Sequence, residues 1–277
     1  MRRLARVTAV LVGLPLSATL AHAQGDSLGG ALRVDASTLR PARYVYELSM
    51  SRDGGTEALG WQTISFTDAT YAGAPSWLIL ESRMGGGIPG LDSLVASRDA
   101  LAPLHWGAAL GLAKLAAEFT RDTLYGATSS PLGKRSLVAP APRGVIASEG
   151  MLDRVLQLAP LQYGWSADLT LLVADVAGTR LLAAHLAAER EEEVTVPAGT
   201  FSTWIVSLRT GQGEKRFWVS KEPRLVVKSS QTLPQLSGAV LERVLTRVDD
   251  PSLIPAPPAV PLPGGVPADT VRRPPSR

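Results

Sequence analysis

The strongest signal along this chain is alternation. Tyr44, Tyr46, Leu48 and Met50 alternate with Glu47, Ser49 and Ser51, the period of two that a half-buried strand shows. Asp53-Gly54-Gly55 then reads as a hairpin turn, because Asp-Gly supplies the positive φ values that tight turns need. Further strands are expected over 57–67, 77–84, 94–98 and 135–139, with turns at 72–75 and a glycine-rich loop at 85–90. Residues 115–125 alternate as one more strand with a mixed face. After residue 168 the strands resume at 169–173, 191–196, 201–210, 214–220, 225–231 and 239–248. Gly211-Gln212-Gly213 is a tight connection, and Trp204, Val206 and Leu208 share one face against Ser207 and Arg209.

One segment changes period. Leu152, Val155, Leu156 and Ala159 follow i, i+3, i+4, i+7 spacing, which marks one apolar stripe of a helix. Ser148 suits the N-cap, Glu149 and Asp153 sit near the positive end, and Pro160 stops the helix. Residues 181–193 are ambiguous. Ala, Leu and Glu favour helix, but the segment lies among hairpins, so strand is the better reading. The expected fold is mainly β: a curved antiparallel sheet or a partly closed β-barrel of about ten strands with one packed helix.

The ends differ from the middle. Residues 1–23 read as a secretory signal peptide: Arg2, Arg3 and Arg6, an apolar run over 7–20, then Ala21-His22-Ala23 as cleavage site. The run falls short of the roughly 20 residues of a membrane span. Residues 24–42 read as a flexible lead-in, 43–249 as a single β-rich domain, and 250–277, with nine prolines, as a disordered tail. The net charge of +3 vanishes once the three signal arginines are removed. No basic stripe with interleaved aromatics is present, so nucleic acid is not expected as a partner. No transmembrane span is expected after signal cleavage. The expected location is periplasmic or secreted.

The 277 residues contain no Cys and three His. That excludes disulfides, thiolate metal sites and a cysteine nucleophile. His105, beside Trp106 in an expected Pro/Gly-rich loop, and His185, in an Ala/Leu run, are the histidines of the mature chain, and neither has metal-ligand spacing. No metal or cofactor is expected. Glu189, Glu191, Glu192 and Glu193 read as a solvated face. Gly164-Trp165-Ser166-Ala167-Asp168 lacks the second glycine of a nucleophile elbow. Gly133-Lys134-Arg135-Ser136 mimics only the end of a phosphate loop.

The segment Glu193-Val194-Thr195-Val196-Pro197-Ala198-Gly199-Thr200-Phe201-Ser202-Thr203-Trp204, followed by Phe217-Trp218-Val219-Ser220 and Pro223-Arg224-Leu225-Val226-Val227-Lys228, resembles the domain of unknown function 3108 family of exported bacterial β-proteins. More remotely the layout is similar to the lipoprotein-carrier open barrels (LolA/LolB/LppX-like). The resemblance implies an exported β-domain and carries no catalytic motif. Residue by residue, Pro197 belongs at a strand end and Gly199 in a turn.

Three functions follow as expectations. The first is a non-enzymatic exported envelope protein binding a lipid or other apolar ligand. Its cavity would be lined by Trp and Leu with few charges, the candidates being Trp61, Trp77, Trp204 and Trp218. The second is a structural or interaction module that docks an envelope protein through sheet edges or the Pro-rich tail. The third is a hydrolase, which needs two acids converging in a cleft, one with a raised pKa.

Overall fold

The computed structural model describes residues 34–85, 90–110, 112–131, 133–175 and 178–249. The expected signal peptide, much of the lead-in, residues 86–89 of the glycine-rich loop and the Pro-rich tail lie outside them. The described chain is mainly β. Its strands are β1 (Ala42–Arg52), β2 (Gly55–Tyr71), β3 (Ala74–Met84), β4 (Gly90–Ser97), β5 (Pro103–Leu110), β6 (Ala113–Phe119), β7 (Thr123–Ser130) and β8 (Gly133–Pro140). After helix α1 (Glu149–Leu158) come β9 (Ser166–Asp175), β10 (Gly178–Val196), β11 (Gly199–Thr210), β12 (Gly213–Ser220), β13 (Val226–Leu233) and β14 (Ala239–Asp249).

All fourteen strands form one antiparallel sheet in the order β8-β7-β6-β5-β4-β3-β2-β1-β14-β13-β12-β11-β10-β9. Two meanders therefore meet at a central β1–β14 pair. The sheet is open: β8 and β9 are its two ends. It is also strongly curved. Trp106 of β5 and Leu182 of β10 stand far apart in that order, yet they line one cavity. Bulges supply part of the bend. At one, Gly60 has φ +119°, and a Cβ there would lie 2.1 Å from the Met84 carbonyl oxygen. The β1–β2 register shifts beside it, between Leu48 and Ser49.

The hairpin turns follow their residues. Asp53 and Gly54 take φ of 53° and 79°, and Ala72 and Gly73 take 48° and 81°, as the tight two-residue turns require. Residues 181–193 are strand, inside the 19-residue β10. Two expectations need correction. Residues 115–125 are not one strand but β6 and β7 with a turn at Arg121-Asp122. The inward set switches from Leu115 and Ala117 on β6 to Leu124 on β7, but the outward-facing Tyr125 continues the apparent period of two and masks the switch. The segment around His105 and Trp106 is strand β5 rather than loop. The described part of the lead-in is also packed: Ala36 and Leu39 are buried, and the Ala36 amide donates to the Asp99 carbonyl at 2.8 Å.

Helix α1 lies inside the curve. Gly150 through Leu156 are all buried, so the sheet and its loops cover the helix on every side. Its approach to the sheet is close at Gly150. A Cβ there would come within 2.9 Å of both Ile64 Cγ2 and Ile79 Cγ2. Just before the helix, the Ile146 amide donates to Thr170 and its carbonyl accepts from Leu172, at 2.9 and 2.8 Å. That bridge ties the strap carrying α1 to edge strand β9. We expect Gly150→Ala to destabilise the fold by roughly 1–3 kcal/mol, the usual range for overpacking a tight core. Thermal unfolding checks this, and an unchanged melting temperature would refute the close packing.

Candidate functional site

The inward face of the sheet changes character along its strands. On β2 the inward series runs Phe66, Ile64, then Gln62. On β3 it runs Trp77, Ile79, then Glu81, and on β4 Ala96, Leu94, then Asp92. On β12 it runs Val219, Phe217, then Lys215, and on β14 Leu245, then Arg243. The period of two continues unbroken while the side chains switch from apolar to polar. The result is an apolar band beside a charged band, and the N-terminus of α1 points into the charged one.

Two of the free amides at that helix end find side-chain acceptors. The Met151 amide donates to Ser148 Oγ at 3.1 Å, the N-cap expected from the sequence. The Gly150 amide donates to Glu81 Oε1 at 2.8 Å, so β3 supplies a second cap. Gln62 Nε2 donates to the other Glu81 oxygen at 3.4 Å. Burial pushes the Glu81 carboxyl up to about 7, with Glu149 adding to the rise and the Gly150 amide opposing it.

Helix acids Glu149 and Asp153, one turn apart, both meet Arg243. Arg243 donates to Asp153 Oδ1 at 2.9 Å and lies 3.4 Å from Glu149 Oε1. Lys215 closes on the same Glu149 oxygen. The Arg243 guanidinium rests 4.4 Å above the Tyr46 ring, whose hydroxyl donates to the Val226 carbonyl at 3.1 Å. Burial raises the Glu149 carboxyl, but Arg243 and Lys215 outweigh it and hold the group well below the usual range. Asp153, with burial and Glu149 against it, moves up. Asp153 is fully buried, as is Arg154, whose guanidinium stacks 4.1 Å from the Tyr44 ring.

Two adjoining cavities open on this cluster. The first, about 350 Å³, has walls of Ile146, Leu152, Leu171, Leu172, Leu182 and Leu208, with Trp106 beside them. Glu81, Asp92, Arg83, Glu149 and Lys215 stand at its charged part. The second, also about 350 Å³, is lined by Gln62, Arg83, Lys215, Ser229, Gln231 and Arg243, with Glu149 and a few aliphatic side chains. The expectation of few charges inside is therefore corrected: the charged band runs through both cavities, because α1 needs polar partners there.

None of the four candidate tryptophans lines either cavity. Trp77 is fully buried, stacked on Phe66 at 4.2 Å, with its indole N–H donating to the Arg98 carbonyl at 3.1 Å. Trp61 is 48% exposed. Trp204 lies under Lys221, and Trp218 donates to Glu192 Oε1 at 3.1 Å. His185 is exposed and pairs with Asp168 at 2.7 Å. His105 is buried, with Nδ1 2.7 Å from a Glu118 carboxylate that also accepts from the Tyr71 hydroxyl. Glu118 is held below its ordinary value: burial raises it, but His105 and Tyr71 pull it down further. The acidic run on β10 pairs across strands, Glu189 with Arg209 and Glu191 with Lys221. Ser166 starts β9 and Lys134-Arg135 lie on edge strand β8, so neither sits in a nucleophile elbow or a phosphate loop. No cluster of three metal-ligating side chains occurs among the described residues, and none of their helices is long and apolar enough to cross a membrane.

No protein-family model matches the chain, and no curated protein does. Solved structures do. A β-barrel-like protein of domain of unknown function 1849 from Brucella abortus shares 12% identity, with a TM-score of 0.49, over 76% of this chain and 98% of its own. The hypothetical lipoprotein YmcC of Escherichia coli shares 13% at a TM-score of 0.32, over 80% and 88%. A domain of unknown function 1329 protein from Desulfovibrio piger shares 11% at 0.27, over 79% and 89%. Likenesses at this level carry no argument about a ligand or an activity. The domain of unknown function 3108 family is not among the names these structures bear.

The Glu81 shift has a testable sign. The folded state keeps a proton up to about 7 that the unfolded chain, near 4.5, has already released. Stability from this group therefore falls as pH rises between those values. Glu81→Gln keeps a neutral acceptor for Gly150 and removes the dependence. We expect the variant to gain on wild type across that window, by on the order of 3 kcal/mol above it. Denaturant unfolding over a pH series reads the difference; parallel profiles would contradict the assignment.

Proposed function

We propose that this is an exported, non-enzymatic cell-envelope protein that holds an apolar or amphipathic ligand between α1 and the curved sheet. The observation that carries the reading is the first cavity. Its volume of about 350 Å³ lies within the usual range for ligand sites, and its apolar wall adjoins a charged part. That division suits a molecule with an apolar body and a polar head. The leader-like residues 1–23 support export.

The hydrolase reading has one observation in its favour. Glu81 and Glu149 line the same cavity with pKa values driven apart, the pattern of an acid–base pair. Both carboxylates already have work in the fold, however. Glu81 caps the helix and Glu149 is clamped by Lys215 and Arg243. The interaction-module reading would use the open edge of β8, but Lys134, Arg135 and Pro140 there are residues that discourage edge pairing.

Titration with the neutral fluorescent probe N-phenylnaphthylamine tests the ligand reading. Wild type should enhance its fluorescence saturably. Leu182→Glu, at a half-buried wall position, should weaken binding about tenfold, one charge buried against an apolar ligand being worth at least the corresponding 1.4 kcal/mol. Circular dichroism controls for folding. No saturable signal from folded wild type would overturn the reading.

A further inference from the structure

The second cavity differs from the first in the sign of its lining. Among its described lining residues the cations are Arg83, Lys215 and Arg243, and the one acid is Glu149. Asp92 holds Arg83 only at 3.9 Å and faces the first cavity instead. Neutral donors complete the wall: Gln62 and Ser229 are both buried, and Gln231 stands beside them. Arg243 is itself 3% exposed, and its Nε has no hydrogen-bond partner among the described residues. Arg243 is committed to Asp153 and shared with Glu149, so Lys215 and Arg83 are the cations that the lining offers to a planar or tetrahedral oxyanion. Glu149 already occupies part of this ground as a resident carboxylate, held by Lys215 and Arg243 together.

The two cavities are neighbours. Arg83, Glu149, Lys215 and Gln231 line both, so the cavities adjoin at these four side chains. An occupant can lay an apolar chain against Leu171, Leu182 and Leu208 and reach the cationic chamber with its other end. We propose that the second cavity is an anion site for the carboxylate or phosphate head of a single-chain amphiphile whose chain lies in the first cavity; this rests on the apolar-ligand reading above. The head competes with Glu149 for Lys215 and takes Arg83 as its outer contact.

Calorimetric titration of the full-length protein with four probes separates the possibilities: sodium laurate, dodecanol, sodium acetate and inorganic phosphate. Laurate should bind at least tenfold more tightly than dodecanol. Acetate and phosphate alone should bind far more weakly than laurate. Arg83→Gln, at a side chain 46% exposed and outside the core, should weaken laurate several-fold and leave dodecanol unchanged. Lys215→Met should do the same more strongly. Equal binding of laurate and dodecanol, unmoved by either variant, would overturn the anion site while leaving the apolar-ligand reading standing. Phosphate or acetate binding as tightly as laurate would overturn the amphiphile and leave a small-anion site. If neither laurate nor dodecanol binds, the apolar-ligand reading fails and the inference falls with it.

Discussion

The structure hangs on one buried guanidinium. Arg243, on β14 next to the central β1 strand, holds Asp153 and Glu149 of the only α-helix among the described residues. Burying such charges is expensive, and an apolar replacement of similar shape is often at least as stable. What the cluster supplies is position. Two acids one turn apart on one guanidinium fix both the rotation of α1 and its height in the curve. Glu81 and Ser148 then accept from consecutive amides of the first turn. Gly150 lets the backbone settle against Ile64 and Ile79. On another face Arg154 is buried against Tyr44 and Phe66.

The same polar partners that seat the helix also divide the interior. Below the level of Glu81, Lys215 and Arg243 the inward positions are apolar and packed around α1. At that level and beyond they are charged, and the cavities open there. The apolar wall of the first cavity comes from the later strands, β9 to β11, together with the helix and the strap before it. An interior with an apolar side and a cationic chamber is thus a consequence of how the helix is anchored, and it is what the ligand proposal draws on.

Much of the fold was legible in the sequence. Period-two alternation marked most strands, Asp53-Gly54 and Ala72-Gly73 marked their turns, and Ser148 with the 152–159 stripe placed the helix. The 115–125 hairpin was hidden because its turn has no glycine or proline, and Tyr125, an outward residue, continues the apparent period while the inward set moves to Leu124. The charged band left a signal that is easy to pass over. Gln62, Glu81, Asp92, Lys215 and Arg243 each continue an inward apolar series by one step of two. Each looks like an ordinary strand end alone; the pattern appears only when strands are aligned in register. Burial of Asp153 was invisible for a related reason. An acid near a helix N-terminus is explained by the dipole, and nothing local requires it to meet an arginine ninety residues away. The tryptophans drew attention by size, but size serves packing first, as Trp77 stacked on Phe66 illustrates.

The central claim is that the space between α1 and the sheet is a ligand site. Native mass spectrometry with solvent extraction, on protein recovered after export from a bacterial host, tests it most directly. The account predicts a reproducible bound mass that extracts as a single-chain lipid and is lost in Leu182→Glu. A protein that shows only its bare mass, even with laurate added, would contradict it.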